Sequence, residues 1–150
     1  MGEVVFLRPG EGEPIGGSGP SRATLKATGE TTGGTFFMSE TTIEPGFPGP
    51  PPHTHERLHD MFYVLEGILT FHLGDDTAEA SPGTFVCVPP GTVHTFSNQS
   101  QAPVRFLNLN TPGGFEHYMR ELGAVLATGR TPTSEEIGQI ASKYDVVVAK

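Results

Sequence analysis

The sequence predicts an all-β protein closed at its C-terminal end by two helices, and three observations carry that reading. Apolar runs of four to eight residues recur from Ala23 to Asn110 between turn signals, the pattern of a sandwich or barrel. Glycine (20) and proline (14) make up nearly a quarter of the 150 residues without a collagen-like period, and they punctuate those runs. After Thr111-Pro112-Gly113 the apolar spacing lengthens to that of a helix.

In chain order, residues 3–7 read as a short strand and residues 9–20 as a glycine-rich surface excursion. Core strands follow at Ala23–Thr28, Thr35–Ile43, Met61–Leu65, Ile68–Leu73, Thr84–Val88, His94–Ser97 and Val104–Asn110. Leu69, Phe71 and Leu73 share one face of their strand while Thr70 and His72 take the other. Phe115, Met119, Leu122 and Leu126 then fall at helical spacing, as do Ile137, Ile140, Ala141 and Tyr144. Thr133 and Glu136 stand three apart as in a capping box, and Glu135 favours the positive end of the helix dipole. Neither helix carries a reactive constellation, so both are expected to pack as a lid on the outside of the β-core. The chain, 1–150, reads as one domain with a barrel core over about residues 23–110 and a helical extension over about 114–144.

Nine basic against 17 acidic side chains leave a net charge of −8. That disfavours attraction to nucleic acid or an anionic membrane and leaves small molecules as the expected partners. The longest unbroken apolar run, Met61–Leu65, falls far short of the ~18–20 residues that span a bilayer. Val4–Leu7 lacks a signal-peptide core and Phe6 breaks the myristoylation pattern, so a cytoplasmic location is expected. The single Cys87 excludes an intrachain disulfide and a CxxC motif, and between Val86 and Val88 it reads as a small buried hydrophobe.

Three of the six histidines stand apart by position. His53 and His55, two apart on extended backbone, point to one face and can share an ion. His94 follows Pro89-Pro90-Gly91, a turn that can bring a third imidazole from an adjacent strand. Asp60 opens the Met61–Leu65 strand and can add a carboxylate. Three nitrogens and one oxygen suit one divalent transition metal ion (Fe, Mn, Ni, Zn or Cu) with open coordination positions; carboxylates and carbonyls alone would suit Ca²⁺ or Mg²⁺. Phe62, Val64 and Phe96 share strand parity with Asp60 or His94, which makes them candidates for an apolar substrate pocket; filling the core would satisfy them too. Pro50–Pro52 stiffens the approach to His53, and Gly91 allows the tight turn before His94. His72 and His117 read as solvated, and Asn98 as a turn residue or a tie to a neighbouring loop.

Gly83, five residues, Pro89-x-Gly91, two residues, His94, three residues and Asn98 reproduce in full the second motif of the cupin superfamily, which the chain resembles. The first motif is matched by His53, His55 and Gly67, with Asp60 in the place of a glutamate and the opening glycine displaced to Gly46 because Phe47 stands where it is expected. Thr32-Gly33-Gly34, Pro50–Pro52 and Gly114-Phe115-Glu116 also resemble bacterial monocupins described as quercetin-dioxygenase-like. The resemblance implies a jelly-roll, or double-stranded β-helix, barrel over about residues 30–110, with the ion held in its mouth by His53, His55, Asp60 and His94. It also implies a homodimer. An aspartate reaches roughly 1.5 Å less than a glutamate, so three alternatives stand: direct ligation by Asp60, a bridging water, or replacement by His59 or Glu56. Asp60 ranks first.

The function expected of such a site is that of a metal-dependent dioxygenase or related oxidoreductase on a small aromatic or enol-like substrate, with Asp60 as candidate catalytic base. One alternative is a cupin that binds or senses a small molecule without turnover. Another is a sugar isomerase or epimerase, which would need polar or basic pocket residues; Arg57 and Arg105 are the only nearby candidates.

Overall fold

Side-chain alternation organises the core. The computed structural model describes residues 2–149. The chain runs β1 (Glu13–Ile15), β2 (Ser21–Ala27), a one-turn helix α1 (Gly29–Thr32), β3 (Phe37–Ile43), β4 (His53–Thr54), β5 (His59–Glu66), β6 (Leu69–Leu73) and β7 (Asp76–Ala80). It continues with β8 (Phe85–Val88), β9 (His94–Ser97), β10 (Val104–Thr111), α2 (Glu116–Leu126), α3 (Ser134–Ala141) and β11 (Val147–Val148). Two antiparallel sheets result, one ordered β1-β2-β3-β10-β5-β8 and the other β11-β4-β9-β6-β7. From β7 onward successive strands cross from one sheet to the other, as a jelly roll requires.

In β3 and β10 every second side chain is buried, as the period-two reading expects. Ile43, Phe62, Val64 and Phe106 from one sheet meet Leu69 and Phe71 from the other in one buried cluster. Phe62 stands edge-on to Phe71 at 5.0 Å and to Phe96 at 5.6 Å between centroids. Burial of such side chains contributes roughly 1.5–3 kcal/mol each. The inward series of β10 then changes character: Val104 and Phe106 are followed by Asn108 and Asn110, all buried. On β5 the inward series runs Asp60, Phe62, Val64. Both strands pair in register there, Asn110 opposite Asp60, so one end of the barrel is apolar and the other polar.

Residues 3–7 are not the strand the sequence predicts. Val4 and Phe6 are 94% and 76% exposed. The edge they would join is already taken by β1, inside the expected excursion, where Glu13 pairs with Leu25 and Ile15 with Ala23. Strand β7 escaped notice because four of its five side chains are exposed and show no apolar alternation. Cys87 is exposed rather than buried, because β8 is an edge strand and Cys87 lies opposite the outward Met61.

The two long helices do more than cover the barrel. Tyr118, Ile140, Ala141 and Val146 form a second buried cluster, against which Phe115 and Leu122 pack. Phe115 stands edge-on to Phe37 at 5.6 Å and to His55 at 5.9 Å, which ties α2 to the polar end of the barrel. The capping box of Thr133 and Glu136 starts α3 as the spacing predicts. Among the described residues, no helix is long and apolar enough to cross a membrane.

Candidate metal centre

Strand pairing assembles the site. His53 on β4 lies directly opposite His94 on β9, with ring centroids 4.5 Å apart. Gly91, at φ +87°, donates its N–H to the His55 carbonyl at 2.8 Å, which ties the turn before His94 to the segment bearing His55. The inward face of β5 adds Asp60. His53, His55, Asp60 and His94 are all buried, and one donor atom from each lies within 4.8 Å of the others. Asn98, at the end of β9, is buried and donates to the carbonyls of Ile43 and Ala102 at 3.2 and 2.8 Å, so it ties neighbouring loops together.

Each imidazole is anchored through its outer nitrogen. Nδ1 of His53 donates to the Pro51 carbonyl at 2.9 Å, that of His94 to Thr92 at 3.0 Å, and that of His55 to Asp145 at 2.6 Å. With Nδ1 so bound, each Nε2 faces inward, free to offer its lone pair to an ion that takes the place of a proton there. The Asp60 Oδ1 accepts from the side-chain amides of Asn108 and Asn110, each at 2.7 Å. That turns Oδ2 toward His94 Nε2 at 2.9 Å and His55 Nε2 at 3.3 Å. His55 Nε2 itself, fully buried, makes no hydrogen bond.

An orphaned nitrogen and four electron-pair donors turned toward one point fit a cation. Donors on an ion at about 2.1 Å stand up to about 4.2 Å apart, so the cluster closes on an ion by contracting. Nitrogen and oxygen together match the borderline divalent transition metals. The electrostatics agree. Burial, aided by His94, pushes His53 down to about 4, so it is neutral over a wide range. Burial opposes charge on His55, but the Asp60 carboxylate outweighs it and raises this histidine. Burial would also raise Asp60; the His55 and His94 imidazoles beside its Oδ2 prevail and hold it well below the usual carboxylate range.

The structure brings together the four residues singled out by spacing, and it leaves the alternatives outside. Glu56 and His59 are exposed. Arg57 is exposed too, and Arg105 pairs with Glu40 and Glu66. His72 meets Thr77 at 3.2 Å, and the His117 side chain is half exposed. Asn108, Asn110 and Asp145 were not anticipated. The two asparagines were visible in principle, since they fall on the parity of Val104 and Phe106, where apolar residues belong. Asp145 acts at a separation of 90 residues and has no local signature.

A cavity of about 660 Å³ opens beside the cluster. His53, Asp60 and Asn108 line it together with Phe62, Phe96 and Phe106. Val64, also expected there, sits wholly within the core cluster instead. The helices contribute Phe115, Tyr118, Leu122 and Ile137, and among the described residues no lysine or arginine lines the cavity. Burial pushes the Tyr118 hydroxyl up to about 12, so it keeps its proton.

A family model described as the cupin domain matches residues 39–110. Over those residues the chain is similar to the cupin family. Quercetin 2,3-dioxygenase of Bacillus subtilis is 35% identical over 71 residues, which cover 47% of this chain and 21% of that protein. The match thus spans about a fifth of the length of that curated relative. The polyketide cyclase RemF from Streptomyces resistomycificus is similar in structure, with a TM-score of 0.62 and 23% identity over 73% of this chain and 80% of that one. KdgF from Halomonas sp. superposes with a TM-score of 0.57 and 18% identity, covering 65% of this chain and 84% of that one. At these identities the two structures speak for the cupin fold.

Proposed function

We propose that this cupin is a metal-dependent oxygenase of the dioxygenase type, acting on an uncharged aromatic or enol-like substrate. The observation that carries the proposal is the cavity: about 660 Å³, walled by aromatic rings and, among the described residues, free of lysine and arginine, it reaches the candidate ligands His53 and Asp60. That volume is within the range of small-molecule sites. His53, His55, Asp60 and His94 would hold the ion, which would supply Lewis-acid and redox chemistry toward a substrate oxygen and O₂.

The rest of the task falls to the protein's own groups. Phe62, Phe96 and Phe106, with centroids 5.4 to 5.9 Å apart, offer faces and edges to a flat ring and exclude water. Tyr118 keeps its proton and can donate to a substrate oxygen. Asp60 serves as ligand rather than base: its Oδ1 already accepts two amides, and the histidines beside Oδ2 make it a weak proton acceptor. Among the described residues a sugar phosphate would find no lysine or arginine in this wall. The 35% identity to quercetin 2,3-dioxygenase supports the oxygenase reading over the matched stretch.

The test is metal analysis of untagged protein, followed by oxygen uptake with flavonols, catechols and 1,3-diketones. Metal-dependent uptake that disappears in His94→Ala is expected. Tight binding of these compounds without oxygen consumption would replace catalysis by sequestration, and metal-free protein that accepts no ion would overturn the site itself.

A further inference from the structure

The loop between His55 and Asp60 is held by the far end of the chain. Asp145 lies between α3 and β11, and its carboxylate accepts three consecutive backbone N–H groups: Glu56 at 2.7 Å, Arg57 at 3.0 Å and Leu58 at 3.0 Å. Its carbonyl accepts Nδ1–H of His55 at 2.6 Å. One residue therefore holds four consecutive residues, 55 to 58. On its C-terminal side β11 pairs Val147 with Thr54 and Val148 with His53, and Ala149 N–H donates to the Pro52 carbonyl at 2.8 Å. On its N-terminal side Tyr144 donates to Glu121 of α2 at 2.8 Å, and Val146 is buried in the helical cluster.

The three histidines differ in this respect. His53 and His94 take their outer hydrogen bonds from carbonyls two residues away, within their own turns. His55 alone takes its anchor from a residue 90 positions distant. No carbonyl of its own turn takes its Nδ1–H, and among the described residues the N–H groups of Glu56, Arg57 and Leu58 are bound by Asp145.

Resting on the metal reading above, we propose that Asp145 is a positioning residue of the metal centre, and that residues 144–149 form a strap that aims the Nε2 of His55 at the ion. Docked, the strap completes a site of three imidazoles and a carboxylate. Undocked, it leaves His55 free to turn and the loop to Asp60 slack. Second partners of metal-binding histidines typically change affinity about 10–100-fold when removed. The strap also continues from α3, which supplies Ile137 to the cavity wall, so the cavity cover and the third imidazole share one attachment.

The experiment measures Co²⁺ affinity by chelator competition in the full-length protein and in the variants Asp145→Ala, Asp145→Asn and Arg57→Ala, with the Co²⁺ absorption spectrum and the melting temperature of each metal-free protein. Expected are a loss of about 10-fold or more in Asp145→Ala with an altered spectrum, partial recovery in Asp145→Asn, which retains one acceptor oxygen, and no change in Arg57→Ala. If Asp145→Ala does not fold, Asp145→Asn carries the comparison: weakened affinity with a changed spectrum supports the strap. Folded Asp145 variants with wild-type affinity and spectrum overturn it. Absence of Co²⁺ uptake by the unmodified protein overturns the metal reading itself, a different failure.

Discussion

Replacing Asn110 by leucine separates the role of β10 in holding Asp60 from its role in holding the fold. Asn110 is wholly buried; its amide donates to Asp60 Oδ1 at 2.7 Å and to the Leu109 carbonyl at 3.0 Å, while its own Oδ1 has no hydrogen-bond partner. Leucine keeps the branched outline of asparagine and brings no polar atom. A hydrogen bond to a charged group contributes roughly 1.5–3 kcal/mol, and an unpaired buried acceptor costs roughly 1–3 kcal/mol. The two changes oppose each other, so metal-free stability is expected to move by no more than about 2 kcal/mol. Asp60, however, loses one of the two amides that turn Oδ2 inward. The expected loss of metal affinity is about 10–100-fold, or about 1.4–2.8 kcal/mol, which matches the worth of one hydrogen bond to a carboxylate. Chelator competition with Co²⁺ gives the affinity, and urea unfolding of the metal-free protein gives the stability. Unchanged affinity in a folded Asn110→Leu protein would refute the account of Asp60 as a ligand oriented from β10.

Metal uptake is expected to depend on pH through His55, which is raised above 6.5 while His53 is lowered to about 4. In the metal-free protein the His55 contribution to stability is complete below 6.5 and is lost as pH rises through its folded value. The ion displaces that proton, so affinity rises with about one decade per pH unit across this window and the metal-induced gain in Tm is larger at about pH 8 than at about pH 6; a flat profile would count against His55 as ligand. Gly49→Ala places a Cβ 1.6 Å from the Phe96 carbonyl oxygen, whereas Gly91→Ala meets nothing within 4 Å, both at positive φ. Urea unfolding is expected to show a loss of about 1–2 kcal/mol for Gly91→Ala and a loss at least about 2 kcal/mol larger for Gly49→Ala, and equal losses would disprove the tight approach. Leu122→Lys brings a charge into the cavity wall, and fluorescence titration is expected to show about 10-fold weaker binding of a neutral flavonol; unchanged binding would place the ligand elsewhere.

Much of the fold can be read along the chain because its causes are local. Period-two alternation marks β3 and β10, the Thr133 and Glu136 spacing marks the start of α3, and Pro89-x-Gly91 marks the turn into His94. The His53, His55, Asp60 and His94 set is legible for the same reason: strand parity, a two-residue spacing and one turn suffice to bring the four residues together, although the ring of His55 takes its anchor from Asp145. Strand β7 lacks an apolar face and leaves no trace, and residues 3–7 look like a strand only until β1 is seen to occupy the edge beside β2.

By itself the sequence determined which side chains point inward and which turns are tight, since backbone geometry acts over a few residues. Tertiary structure alone decided what those inward groups meet. Asn108 and Asn110 clamp Asp60 because β10 pairs with β5 across some fifty residues, and Asp145 reaches the His55 loop only after the helices carry the chain back to β4. Hydrogen bonds between such distant groups depend on distance in space, which no spacing along the chain encodes. The cavity, walled from both the barrel and the helices, came into view for the same reason.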